Sequence, residues 1–133
     1  MDVLSDRWTF LILREAFFGV RRYGQMQRDL GIARNVLAER LRKLVADGML
    51  ERVRYRTDPD WYEYRLTERA LDLYPVIVGL MRWAERHLQP ADGDRAGGIE
   101  LVHRSCGHPA EPYLACAHCH APLTARDVEV ASR

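Results

Sequence analysis

The hydrophobic period of this chain switches from helical to alternating at Gly48, and that change limits what it can fold into. Before Gly48 the apolar residues recur at helical spacing. Tyr23, Met26 and Leu30 fall at i, i+3 and i+7, and Leu37, Leu41 and Leu44 follow on a second stretch from Ala33 to Asp47. Gly31-Ile32 separates the two stretches, and Gly48 ends the second. Beyond it the period is two: Val53 and Tyr55 are interleaved with Arg52, Arg54 and Arg56, and Trp61 to Leu66 alternates again. Thr57-Asp58-Pro59-Asp60 supplies β-turn residues between the two runs. Two short helices around a glycine turn, followed by a hairpin, predict a winged helix-turn-helix.

The flanks complete a mainly α fold with one small β-hairpin. Trp8 to Phe18 is densely apolar and closes at Gly19, which predicts a buried first helix. After the hairpin, Thr67 can cap a long helix reaching about Leu88, kinked or short of one backbone bond at Pro75. Leu71, Tyr74, Val78 and Met81 form one stripe on it, and Leu73, Ile77, Leu80 and Ala84 form another. One small domain rarely covers so broad an apolar surface, so burial against a second copy is the expectation. The competing possibility is that Trp8 and the first helix cover both stripes within one chain.

Net charge says little until it is located. The whole chain carries +1, but residues 21–56 hold ten Lys or Arg (Arg21, Arg22, Arg28, Arg34, Arg40, Arg42, Lys43, Arg52, Arg54, Arg56) against four acids, a local excess of six. With Leu37, Leu41 and Leu44 turned inward, Asn35, Ala38, Glu39 and Arg42 lie on the opposite face, with Arg34 near the helix start. These residues are the candidates for reading bases in a major groove: Arg pairs with guanine, Asn with adenine, and Ala touches a thymine methyl. By strand alternation Arg52, Arg54 and Arg56 share one face of the hairpin and can track phosphates or a narrow minor groove. Salt-bridging to Glu51 and Glu63 on a solvated edge is the plainer alternative. Arg21 and Arg22, just before the second helix, are further phosphate candidates.

The segment DRWTFLILREAFFGVRRYGQMQRDLGIARNVLAERLRKLVADGMLERVRY, followed by YEYRLTERALDLYPVIVGLMRW, resembles the HxlR family of winged-helix regulators. The likeness spans about residues 4 to 88. It is carried by Asp6-Arg7-Trp8, Arg21-Arg22-Tyr23, Leu37 to Leu44 and Tyr64-Arg65-Leu66-Thr67-Glu68. The resemblance implies a bacterial, cytoplasmic, dimeric repressor or activator that binds double-stranded DNA, with dimerisation through the terminal helices. It also leaves room for a small-molecule or redox effector. In redox-sensing members the reactive cysteine lies in a segment before the Trp motif. The sequence begins too late to include that segment, so cysteine sensing there is not supported. Ala33 stands where a Ser would cap the recognition helix, a loss of ~1 kcal/mol unless another group substitutes.

Length and composition close off other classes. At 133 residues the chain has room for one compact core and an appendage, and no apolar run is long enough to span a bilayer. No Ser-His-Asp arrangement, phosphate-binding glycine loop or placed acid pair marks it as an enzyme. The expected division is a DNA-binding and dimerisation domain over 1–89, a linker over 90–100 and a tail over 101–133. A protein-interaction module within a larger complex is the alternative function.

All three cysteines lie in that tail. His103-x-x-Cys106 is followed, after nine residues, by Cys116-x-x-Cys119, with Gly107 and Ala117 suiting tight turns. Two ligand pairs on two turns can close a tetrahedron, which predicts a small zinc-ribbon-like module with a structural Zn2+. His108, His118 or His120 can replace His103 as the fourth ligand. A redox-active Cys116/Cys119 dithiol or simple free thiols are the competing readings. The sequence shows no internal repeat of useful length.

Overall fold

A computed structural model of the chain describes residues 6–88 and 100–132, which fall into two compact units. The linker expected at 90–100 lies, apart from Glu100, outside the described residues.

The first unit is built from α1 (Arg7–Phe17), α2 (Tyr23–Leu30), α3 (Arg34–Ala46), β1 (Leu50–Arg56), β2 (Trp61–Leu66), α4 (Glu68–Leu71) and α5 (Tyr74–His87). Asp6 starts α1 by accepting the Thr9 backbone N–H at 2.9 Å, which satisfies one of the donors that a helix start leaves unpaired. The turn between α2 and α3 is made by Gly31 at φ +63°, and the stop after α3 by Gly48 at φ +75°. Both are left-handed conformations that suit a residue without Cβ. Ile12, Leu13, Met26, Leu37, Leu41, Leu44 and Ile77 meet in one core in which each is at most 1% exposed. Leu37, Leu41 and Leu44 therefore turn inward, as their spacing predicts.

β1 and β2 pair antiparallel from Leu50↔Leu66 to Arg56↔Trp61, and the register slips between Arg54 and Arg56. The hairpin is anchored through its second strand. Tyr64 N–H donates to the Arg21 carbonyl at 2.7 Å, and Thr67 N–H donates to the Met49 carbonyl at 3.2 Å. The Thr67 hydroxyl adds a bond to the Gly48 carbonyl at 2.6 Å and accepts from Ala70 N–H to cap α4.

The long helix expected from Thr67 to Leu88 is instead two helices, broken at Asp72-Leu73. Pro75 is the cause. It has no N–H to donate to the preceding turn, so the chain restarts with Pro75 in the first turn of α5, where that donor would be unpaired in any case. The two expected stripes are redistributed as a result. Ile77 and Val78 are buried and Leu73 and Met81 pack against the core, whereas Leu71, Tyr74, Val76, Leu80 and Trp83 stay exposed. Val76, Leu80 and Trp83 follow one another at i, i+4 and i+7, so a continuous apolar line runs down α5.

The second unit is nearly coreless. Among residues 100–132 none is buried, and only Leu101, Ala110, Cys116 and Leu123 are partly so. Among the described residues, the bridges Val102↔Pro109 and Ala115↔Pro122 and a 3-10 turn at Ala125–Asp127 capped by Thr124 organise it.

Leu41 sits at the centre of the α1–α3 contact with no exposed surface. Truncation to Ala should cost about 2–5 kcal/mol through lost burial and a cavity. Urea denaturation of Leu41→Ala should show a lower midpoint with an unchanged slope.

Candidate nucleic-acid interface

With its leucine edge buried, α3 presents Arg34, Asn35, Glu39 and Arg42 as exposed side chains and Ala38 as a half-buried one. The structure brings these five to one surface. No ion pair engages Arg34 or Arg42 among the described residues, and Glu39 leans on Arg40 at 3.4 Å while remaining largely exposed. Their donors are therefore free to meet base edges or phosphates.

The orientation of α3 depends on residues outside the face. Ala33 caps nothing with its side chain. Instead, the Tyr23 hydroxyl donates to the Arg34 carbonyl at 2.5 Å, tying the start of α2 to the start of α3. Asp6 does the same for α1, since Arg40 Nε donates to Asp6 Oδ2 at 3.1 Å. Partial burial pushes the Asp6 carboxyl up, but the Thr9 bonds together with the Arg40 charge and bond outweigh it and hold the group below the ordinary carboxylate value. Arg40 thus counts in the basic cluster but is committed to Asp6. Pairing across 34 residues leaves no local signal, and only the shared Asp6-Arg7-Trp8 motif hinted at it.

The wing carries Arg52, Arg54 and Arg56, all exposed, but not on one face. Arg52 stands opposite Tyr64 and Arg54 opposite Tyr62, as the two-residue period requires. The bulge then puts both Tyr55 and Arg56 opposite Trp61, which turns Arg56 to the other side. Aromatic rings support the guanidinium groups: Arg52 lies 3.8 Å from the Tyr62 ring centroid, Arg56 5.7 Å from Trp61 and Arg22 4.4 Å from Tyr55. Such stacking is worth about 0.5–1 kcal/mol at exposed sites and holds the fork of each Arg in a defined place. Arg22 is thereby joined to the wing, while Arg21 contributes its carbonyl to β2 and leaves its side chain exposed. The acid partners expected for the wing are reassigned: Glu63 pairs with Arg65, and Arg54 reaches Asp60 at 3.7 Å. The role of Tyr55, Trp61 and Tyr62 was missed, although their interleaving with arginine was visible in the sequence.

In the tail His103 and Cys106 come together, with Nδ1 and Sγ 3.5 Å apart. Cys116 and Cys119 form the second pair. The Cys119 and His118 backbone N–H groups, with the Cys119 side chain, bond the Cys116 sulfur and hold its thiol below the usual value. No disulfide links the three cysteines. Among the described residues no three His, Cys, Asp or Glu side chains gather at one point. His108 Nδ1 lies 3.0 Å from the Cys106 carbonyl.

The HxlR-like helix-turn-helix family model matches residues 3–92. The chain belongs to the HxlR family. Members of this family are DNA-binding transcriptional regulators rather than enzymes, and the mainly helical fold with its two-stranded wing agrees with that. Among relatives, the uncharacterized HTH-type transcriptional regulator Rv3095 of Mycobacterium tuberculosis is 50% identical over 128 residues, covering 96% of this chain and 79% of that protein. YvaP of Bacillus subtilis, also an HTH-type transcriptional regulator, is 30% identical over 92 residues, 68% of this chain and 85% of its own. The solved structure of the candidate transcription factor PA1607 shares 36% identity at a TM-score of 0.82, over 99% of this chain and 90% of that one. The reduced form of the redox regulator HypR matches 64% of this chain and 85% of its own at a TM-score of 0.60 and 30% identity. The HxlR model ends before the cysteine tail, whereas the similarity to Rv3095 and PA1607 runs through it. No described helix is long and apolar enough to cross a membrane.

The Asp6–Arg40 contact gives a pH-dependent test. Because the folded-state pKa is depressed, the Asp6 charge contributes stability above the unfolded-state pKa and loses it as pH falls through the folded value. Asp6→Asn keeps a capping oxygen and removes the charge. Thermal melts should place the variant about 1–5 °C below the parent near pH 7, with the gap closing as pH falls through the depressed folded-state value. A gap that is the same at both pH values would show that the ion pair adds nothing.

Proposed function

We propose that this HxlR regulator binds a pseudo-palindromic operator as a homodimer. Each α3 enters a major groove, and each wing lies on the flanking backbone. The observation that carries the reading is the single exposed surface formed by Arg34, Asn35, Ala38, Glu39 and Arg42, held in place by buried leucines behind it. Arg42 and Asn35 are the base-reading donors, Arg34 serves the phosphate at the helix start, and Arg52 and Arg54 with Arg22 hold the backbone beside the wing. Arg56, turned to the Trp61 side, meets the backbone from the other face of the hairpin. The apolar line Val76, Leu80 and Trp83, with Trp83 52% exposed, is the surface a second copy covers. Two-fold pairing sets half-sites about one helical turn apart, near 34–36 Å.

Gel-shift titration on DNA from upstream of the gene should give a complex that resists random competitor. Arg42→Ala should weaken it roughly 5- to 150-fold and relax preference at one position, in line with about 1–3 kcal/mol per base contact. Arg54→Ala should weaken all sequences alike and lower the salt slope by less than about 1, since Asp60 already shares its charge. Equal affinity of the parent protein for random DNA would overturn the operator reading. For the dimer, sedimentation should give twice the chain mass, and Leu80→Glu should halve it while leaving the helical circular dichroism intact.

A further inference from the structure

The tail contains an internal repeat that its sequence conceals. Residues 101–110 and 114–123 have the same backbone, displaced by thirteen positions. Val102↔Pro109 pairs as Ala115↔Pro122 does. His103 N–H donates to the His108 carbonyl at 3.0 Å, and Cys116 N–H to the Ala121 carbonyl at 2.8 Å. Gly107 N–H closes on the His103 carbonyl at 2.8 Å, and His120 N–H on the Cys116 carbonyl at 2.7 Å. Ala110 N–H reaches the Leu101 carbonyl at 2.6 Å, and Leu123 N–H the Leu114 carbonyl at 2.9 Å. Even the left-handed residue recurs, at Gly107 with φ +73° and at His120 with φ +64°.

Each repeat places a soft donor at its third and sixth positions: His103 and Cys106 in one, Cys116 and Cys119 in the other. We propose that these two turns are the halves of one closed, four-coordinate zinc site, one per chain, with His103 Nδ1 and the sulfurs of Cys106, Cys116 and Cys119 as ligands. Two observations support it. The 3.5 Å from His103 Nδ1 to Cys106 Sγ matches the edge of a tetrahedron with Zn–N and Zn–S bonds of about 2.0 and 2.3 Å, which is roughly 3.5 Å. No described residue of the unit is buried, so it needs an internal staple, and the cysteines form no disulfide.

The repeat also selects the fourth ligand. His118 occupies the position of Ser105 and His120 that of Gly107, neither of which is a donor position in the partner repeat. His108 is turned onto the Cys106 carbonyl. Nine residues separate Cys106 from Cys116, ample chain for the two turns to face each other across the metal. The zinc closes the gap between the pairs, and with all four positions filled it is structural, not catalytic.

The test uses the full chain, purified under reducing conditions and supplied with zinc. Native mass measurement should find one zinc per chain. His103→Ala and Cys106→Ser should each lower occupancy at least tenfold, while His108→Ala and His118→Ala should leave it unchanged. Cobalt(II) loaded into the unaltered protein should show the strong visible absorption of a tetrahedral site with three thiolates, a readout that needs no variant to fold. One metal per two chains, full occupancy in Cys106→Ser, or a metal-free protein that loses two mass units through a Cys116–Cys119 disulfide would each overturn the proposal. DNA binding plays no part in these readouts, so failure here leaves the operator reading untouched.

Discussion

Burial of Leu37, Leu41 and Leu44 fixes the rotation of α3, and everything the first unit can do at its surface follows from that rotation. A turn of 100° per residue leaves no choice about which side chains face outward once three leucines are sealed inside. Rotation alone does not fix where the helix begins, and Ala33 offers no cap. Tyr23 supplies an axial anchor through the Arg34 carbonyl, and Asp6 a lateral one through Arg40. The outward face of α3, proposed as the recognition surface, is thus positioned by groups from α2 and from the start of α1, neither of which belongs to it.

The same division explains what the sequence revealed. The order of the first unit, its glycine stops and its outward residues were legible because each rests on local periodicity and on φ values that favour Gly31 and Gly48. Interactions between distant residues left no such trace. The Asp6–Arg40 pair is non-local, and the slip between Arg54 and Arg56 arises from strand pairing rather than from either strand alone. Pro75 is visible in the sequence, where it implies a kink or one unmade backbone bond rather than a break. The short turn at Asp72-Leu73 satisfies more of the backbone, with Leu73 N–H on the Ala70 carbonyl and Ile77 N–H on the Leu73 carbonyl. In the tail only Leu101/Leu114, Cys106/Cys119 and Pro109/Pro122 are identical between the repeats, so the symmetry shows in hydrogen bonds before it shows in letters.

The two units are stabilised in different ways. The first hides a contiguous apolar core beneath its helices, while the second relies on short bridges and on turns that bring soft donors together in pairs. The HxlR model stops at residue 92, and the relatives that share the tail share it as a continuation of the same alignment.

The ion pairs of the basic segment bear on how many cations its charge supplies to a polyanion. Of the ten Lys and Arg between residues 21 and 56, Arg40 is bound to Asp6, Lys43 lies 3.8 Å from Asp47 and Arg54 lies 3.7 Å from Asp60. A side chain already neutralised by a carboxylate displaces fewer condensed ions from a duplex, because its own acid must first be released to solvent. On the proposed reading, the thermodynamic valence of the surface is therefore smaller than its formal charge, and the arginines outside these pairs, Arg34 and Arg42 among them, carry a larger share of it than their number implies.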